Sequence, residues 1–448
     1  MENTVDLSDD PRLVALETLE AVAKGGLLEH SLERRSALLS DENINLAQAL
    51  VYVCLRHQSR LDFLIKSKLK KNRTDRLALT ILRLGLAQIL FFDRLKDYAI
   101  VSQTVELARL KIPGRHGLVN AILRKFLREK ESVWGWPEEI DGRDTPAAQR
   151  LAVFYSHPRW LVDRLIAELG YREARALLAA NNQPCPPTLR VNPKLIEREE
   201  LAEKLPFPTK PTKFSPWGLI PLTWPGRPEA WPGFKEGHFA IQDEASQILG
   251  LLAGQSKKVL DACAGQGGKS LNLAAIDAEA RIVAVDPNWN RLNNLLREAK
   301  RLNLGCRLKI WHGEIQSAEL DETFDLVLVD APCSGLGVIR RRPDLKWLKT
   351  ADDIPRLAAI QLGLLTSAAR FVAPGGNLIY SVCATTTEEG PEVLEKFLQE
   401  NPAFRPWTSQ EVDPALRELF VEPGYLKLWP HKQGTDGFFY GLLARKMD

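Results

Sequence analysis

Between residues 11 and 130 the apolar positions recur three or four apart, as at Leu13, Leu16, Leu19 and Ala23, with no β-branched alternation. That period puts side chains on one face of an α-helix, so the stretch is predicted to be an all-α domain. Leu82, Leu86, Ile89 and Leu90 form a second stripe, expected in the core. Residues 131–146, ESVWGWPEEIDGRDTP, break the period with Gly, Pro and polar side chains, which predicts a linker. Helical spacing returns at 155–170, NNQPCPPTLRVNP (181–193) turns into a short strand, and residues 206–237 are rich in Pro, Trp and Gly. This part reads as a small α/β insert.

After about residue 250 the texture changes. Short β-branched runs (KKVLDAC, RIVAVD, RLKIWHG, FDLVLVD and GNLIYSVC) alternate with helical patterns, the signature of βαβ units and a parallel sheet covered on both faces. Near the end, PHKQGTDGFFYGLLARK reads as a turn and a closing strand, with Phe438 and Phe439 in the core. The expected organisation is multidomain: a helical domain over 1–135, the α/β insert over 147–237, and a Rossmann-like α/β domain over 238–448. No internal repeat or low-complexity tract interrupts it.

Composition narrows the class. With 448 residues, 45% hydrophobic and 26% charged, the chain is neither disordered, collagen-like nor a disulfide scaffold. The six cysteines, scattered without CxxC or Cys/His ligand spacing, argue against structural zinc and for a reducing, cytoplasmic setting. The acidic start lacks an apolar signal core, and no apolar run is long enough to span a membrane, so no membrane partner is expected. Net charge is only +3, but its distribution is uneven: residues 1–130 carry 22 basic and 16 acidic side chains, the remainder 38 and 41. Residues 56–76 hold eight basic side chains, Lys68, Lys70, Lys71 and Arg73 among them, against Asp62 and Asp75. They read either as a solvated face or as a docking surface for RNA.

The chemistry-bearing residues stand at the carboxyl ends of the predicted strands, where open α/β sheets bind their ligands. The first run leads into Cys263, Ala264, Gly265, Gln266, Gly267, Gly268 and Lys269, a turn that allows close backbone approach before a helix N-terminus. Ser270 takes the place of the third glycine of the dinucleotide fingerprint and P-loop spacing is absent, which disfavours both nucleotide classes. Asp286, 21 residues after Gly265, suits ribose hydroxyls, the alternative being a cap for the next helix. Glu314 stands just beyond the third strand, where it could accept from an adenine amino group. After the fourth and fifth runs come DAPCSG, with Asp330 and Cys333, and a second strand-end thiol, Cys383. Methylating cytosine at C5 needs a thiolate to add at C6 first, and a nearby carboxyl group to stabilise the adduct. Arg340, Arg341 and Arg342, followed by Lys346 and Trp347, read as phosphate contacts beside a stacking aromatic.

DACAGQGGKS, VAVDPNWNRL, LVDAPCSGLGVIRRRPDLKW and LIYSVCATTTEEG together resemble the bacterial ribosomal RNA cytosine-5 methyltransferases of the RsmB (Sun, Fmu) family. LRLGLAQILFFDRL, VELAR and GLVNAILRKFLR are similar to the RNA-binding NusB fold. The resemblance covers residues 13–445. It implies S-adenosylmethionine on the 263–269 turn, Asp286 on its ribose, Glu314 near its adenine, and Asp330 facing cofactor and base. It also implies Cys383 as nucleophile and Cys333 as the group that resolves the adduct by assisting proton removal from C5. The DNA cytosine-5 enzymes use the Pro-Cys thiol as nucleophile, so a swapped assignment is the mechanistic rival. The implied partner is small-subunit ribosomal RNA and not DNA; transfer RNA or another RNA, and a catalytically weak RNA-binding assembly factor, are the alternatives. The chain departs from the family at Gly265 and Gln266, where CAAPGGK is usual, and at Val382 and Ala384, where Thr and Ser usually flank the nucleophile.

Overall fold

The computed structural model describes residues 9–37, 39–69, 74–129, 146–185, 187–224, 226–254, 256–277 and 279–447. By contact the chain divides into two units, Met1–Gln183 with Ile339–Ala351, and Pro184–Val338 with Asp352–Asp448.

The first unit is helical as expected, with helices over Pro11–Val22, Leu28–Ser36, Asp41–Arg56, Gln58–Lys68, Arg76–Phe91, Asp97–Lys111, His116–Arg128, Ala147–Phe154 and Arg159–Asn181. Two of them start on aspartate caps: Asp10 accepts from the Arg12 N–H and Asp75 from the Ala78 N–H, each at 2.8 Å. Helix Arg76–Phe91 is the centre of the unit, and its buried residues run nearly all round, the stripe Leu82, Leu86, Ile89 and Leu90 included. Gly85 permits that: a Cβ there would stand 2.8 Å from Leu123 and 3.1 Å from Thr104, on the two helices that follow in sequence. Gln88, buried in the same helix, accepts from Arg12 Nε at 2.8 Å.

Part of the basic run serves this unit internally. Arg60 lies over the Phe154 ring at 4.9 Å, and Lys68 Nζ sits 2.5 Å from Glu129 Oε2. Lys70, Lys71 and Arg73 lie outside the described residues, as does the expected linker up to residue 145. The helices between 147 and 181 group by contact with this unit, whereas the sequence reading put them with the insert.

The second unit opens with a small antiparallel sheet of β1 (Leu189–Val191), β2 (Thr209–Pro211), β3 (Gly218–Pro221) and β4 (Phe239–Ile241), in the order β2-β3-β1-β4. The larger sheet takes β5 (Lys258–Asp261), β6 (Arg281–Asp286), β7 (Leu308–His312), β8 (Phe324–Asp330) and β9 (Val372–Val382), the five runs read from sequence, all parallel. It then continues antiparallel through β10 (Phe404–Pro406), β11 (Phe420–Val421), β12 (Tyr425–Leu428) and β13 (Phe438–Arg445). Strand order is β11-β12-β13-β9-β8-β5-β6-β7. The sheet is therefore mixed, because the closing strand β13 returns beside β9 with Phe439 opposite Val382 and Ala444 opposite Asn377. Phe438 and Phe439 are buried, as expected of core. From β5 the chain steps one way to β6 and later the other way to β8, so the order reverses at the carboxyl end of β5, the usual place for a ligand crevice.

Candidate active site

The turn after β5 owes its shape to two left-handed glycines, Gly265 at φ 54° and Gly267 at φ 84°. Gly267 also has no room for a side chain, since a Cβ would stand 2.4 Å from Leu295 Cγ. The turn is tied to its neighbours. The Gly265 N–H donates to Asp286 Oδ2 at 2.9 Å, and the Ala264 N–H to the Val285 carbonyl at 2.9 Å. The other Asp286 oxygen accepts the Asn288 N–H at 2.8 Å, and Asn288, rather than Asp286, caps the following helix. Gln266 is exposed at the tip, and the Cys263 thiol is pushed far up by burial, with Asp261, Asp330 and Asp286 adding to it. A thiol held protonated in this way is a poor nucleophile. Glu314 is exposed two residues beyond His312, which pairs with Asp286 across β6 and β7.

Two residues that shape this turn escaped the sequence reading. Asp261 at the end of β5 is fully buried and accepts from Ser270 Oγ at 2.5 Å; desolvation raises its carboxyl to about 6. Its signal was present, an acid closing the first β-branched run before the glycines. Arg190 on β1 left no such signal. Its Nη1 donates to the Gly268 carbonyl at 3.0 Å and to Gln242 Oε1 at 2.7 Å, 78 and 52 residues away in sequence, and burial lowers its guanidinium to about 9.

The strands β8 and β9 bring the remaining candidates together. Asp330 pairs with Ser381 in register, and Ser381 Oγ donates to Asp330 Oδ1 at 2.9 Å. Lys269 Nζ sits 2.7 Å from Asp330 Oδ2 and 4.8 Å from the centre of the Phe438 ring. The lysine of the glycine turn thus meets the carboxylate at the end of the neighbouring strand β8. Cys333 and Cys383 face each other with their sulfurs 3.0 Å apart. The hydrogen bond to Cys383, followed by burial, pushes the Cys333 thiol well up, and the charge of Glu389 acts in the same direction. Val382 and Ala384, flanking Cys383, are 0% and 1% exposed, so apolar side chains suit both places.

One expectation is corrected. Arg340, Arg341 and Arg342 do not form an exposed phosphate-binding row, because Ile339–Ala351 belongs to the helical unit. Arg340 is 8% exposed and its carbonyl accepts from Arg56 Nη2 at 2.9 Å. Arg342 pairs with buried Asp344 at 2.9 Å. Lys346 is wholly buried, with Nζ 2.9 Å from the Arg56 carbonyl and 3.1 Å from Asn182 Oδ1, and Trp347 Nε1 donates to the Leu55 carbonyl at 2.8 Å. The side-chain donors of Arg342, Lys346 and Trp347 are spent on protein acceptors, which a charge count along the chain cannot see. Among the described residues no helix is long and apolar enough to cross a membrane.

Comparison with known proteins adds names to this geometry. The family model described as 16S rRNA methyltransferase RsmB/F matches residues 248–444, the NusB family model residues 9–128, and an RsmF/B-like ferredoxin-like domain model residues 157–220. The probable ribosomal RNA small subunit methyltransferase B of Bacillus subtilis (strain 168) is 35% identical over 457 residues, covering 97% of this chain and 98% of that protein. The ribosomal RNA small subunit methyltransferase B of Pseudomonas putida is 35% identical over 449 residues, with the same coverage. Among solved structures, that of PH0851 aligns at a TM-score of 0.75 and 25% identity, covering 97% of this chain and 98% of that one.

Proposed function

The chain belongs to the RsmB/F family of 16S rRNA methyltransferases, and from that premise we propose that it methylates C5 of a cytidine in small-subunit ribosomal RNA through a covalent bond between Cys383 and C6. S-adenosylmethionine is the methyl donor and supplies, when bound, an electrophilic methyl group. The turn after β5 fits it. A Cβ at Gly265 would meet nothing within 4 Å and one at Gly268 only Gln242 at 3.8 Å, so open backbone stands beside Asp286 and the first unpaired N–H groups of helix Gly268–Ile276. Asp286 would hold the ribose and Glu314 the adenine edge.

The observation that carries the reading is the meeting of two thiols, 3.0 Å apart, with a carboxylate at the carboxyl ends of adjacent strands. Cys383, its proton released to solvent, forms the S–C6 bond as a thiolate while the C5–C6 double bond opens, and C5 becomes nucleophilic. Asp330, held by Lys269 and Ser381, faces the pyrimidine, and the Lys269 ammonium beside it offsets the negative charge that the adduct gains. Once C5 is methylated its proton leaves, the S–C6 bond breaks, and Cys383 departs as a thiolate. Cys333, protonated while Cys383 attacks, gives its proton to solvent before elimination and then, as a thiolate, takes the proton from C5; the thiol so formed can hydrogen-bond the departing Cys383 sulfur. The hydrogen bond to Cys383, burial and the charge of Glu389 favour the protonated form of Cys333 while Cys383 attacks. Residues 1–135 and 147–237 are proposed to hold RNA, and 238–448 to carry out the chemistry.

The test is a denaturing gel of protein incubated with 16S RNA transcript and S-adenosylmethionine. Cys383→Ala should lose both turnover and any covalent adduct. Cys333→Ala should keep the attack step and accumulate adduct. The opposite pattern reverses the two roles, and methylation unaffected by either substitution removes thiol addition altogether.

A further inference from the structure

Beyond the two thiols, one wholly buried carboxylate joins the loops that carry them. Glu389 lies six residues after Cys383 and is 0% exposed. Its Oε1 accepts from the Ser334 N–H at 2.7 Å and from Gln361 Nε2 at 3.1 Å; its Oε2 accepts from Ser334 Oγ at 2.6 Å and Thr386 Oγ1 at 2.9 Å. A carboxylate offers about four acceptor sites, and four neutral donors fill them. Two of these donors come from the residue next to Cys333, and a third from the loop that follows Cys383. The same Gln361 nitrogen also donates to the Pro332 carbonyl at 3.0 Å, so both neighbours of Cys333 are tied to this pair. The Tyr380 hydroxyl, three residues before Cys383 on β9, lies 3.0 Å from Gln361 Oε1 and 2.6 Å from the Glu389 carbonyl, which anchors the network to the strand bearing the other thiol.

We propose that Glu389 is the positioning residue of the thiol pair: it fixes the Pro332–Ser334 loop against the end of β9 and so sets where Cys333 stands relative to Cys383. Burying a carboxylate among neutral donors is costly, and a neutral side chain would fill the space at less expense. The negative charge has an additional effect, since it favours the protonated form of Cys333 while Cys383 attacks. The inference deepens the proposed reaction and rests on it for the kinetic consequence, though not for the thiol chemistry.

Glu389→Gln and Ser334→Ala are the variants, made in the full chain, with melting curves to establish folding. Glutamine cannot accept from four donors, and alanine at 334 removes the hydroxyl bond to Glu389 together with the longer one it accepts from the Leu336 N–H at 3.4 Å. Alkylation by iodoacetamide, read cysteine by cysteine by mass spectrometry without RNA, should show the Cys333 pH profile of Glu389→Gln moved down by about half a unit or more. With 16S RNA transcript and S-adenosylmethionine, the first methyl transfer should stay within about threefold of the parent, while repeated turnover falls about tenfold and adduct accumulates. A folded Glu389→Gln protein with the parent's alkylation profile and the parent's ratio of first to later turnovers overturns the proposal. If Glu389→Gln does not fold, Ser334→Ala decides: a shifted Cys333 profile upholds the proposal and a parental profile reduces Glu389 to a structural part. If the parent itself forms neither adduct nor 5-methylcytidine, the proposed reaction fails while the alkylation profile still judges Glu389.

Discussion

The ammonium of Lys269 and the carboxylate of Asp330 stand 2.7 Å apart, joining the glycine turn after β5 to the end of β8. That pairing makes Lys269 a candidate for holding the charge at the base rather than the cofactor. Lys269→Met should leave affinity for S-adenosylmethionine within about threefold of the parent and lower kcat by about 10- to 100-fold, since charge-assisted hydrogen bonds contribute about 1.5–3 kcal/mol. Calorimetry and turnover on the same preparation check it. A matching collapse of cofactor affinity would return the lysine to the cofactor, where the sequence reading put it.

Asp286 holds the Gly265 and Asn288 amides with its two oxygens and keeps lone pairs for a ribose. Asp286→Ala should weaken S-adenosylmethionine binding by about 1.5–3 kcal/mol for each charge-assisted bond lost. Asp286→Asn retains one acceptor oxygen and should fall between alanine and parent. Unchanged binding in both variants would take Asp286 out of the site.

The strand-end candidates were legible because each is local: a β-branched run stops, and the next few residues carry the chemistry. Gly265, Asp286, Asp330, Cys333 and Cys383 all follow that rule. What could not be read is what distant segments do to one another. Arg190 reaches the Gly268 carbonyl from another sheet, Glu389 bonds to Ser334 across 55 residues, and Arg340 is buried with its carbonyl bonded to Arg56, 284 residues earlier. Of the antiparallel part of the large sheet only the closing strand β13 was legible, and β10 to β12 were missed for a related reason. Strands as short as Phe404–Pro406 and Phe420–Val421 have no period of their own and exist through their partners.

His57 lies against Phe91, with ring centroids 4.4 Å apart, and burial, with Lys346, Arg60 and Arg56 beside it, holds its imidazole down to about 3 from an ordinary 6.5. A folded value below the unfolded one means that the unfolded chain takes up the proton first. The stability this site contributes is complete above about pH 6.5 and is lost as pH falls from there towards about 3. The melting temperature should therefore drop on acidification through this window, and less steeply in His57→Phe. Buried His157 is shifted the same way, so the variant removes part of the slope. Parallel curves for parent and variant would show that His57 does not titrate with unfolding.

Val382 is wholly buried beside Cys383, the proposed nucleophile, where the family resemblance implies threonine. Val382→Thr keeps the shape and adds a hydroxyl; left without a partner there, it should cost about 1–3 kcal/mol. Denaturant unfolding measures it. An unchanged midpoint would show that the hydroxyl finds an acceptor.

The stretch Ile339–Ala351 groups by contact with the helical unit, and the chain returns to the other unit at Asp352. The polypeptide therefore passes between the units three times, after residues 183, 338 and 351, and not once as beads on a string would. A module hung on a single tether can be shed, swapped or inherited alone. This one cannot: removing everything before Pro184 would strip Lys346 and Trp347 of the carbonyls at Arg56 and Leu55 that accept their hydrogen bonds. The helical part is less an appendage to the enzyme than the socket for one of its own loops, and gain or loss of that part must be accompanied by rewriting the thirteen residues that plug into it.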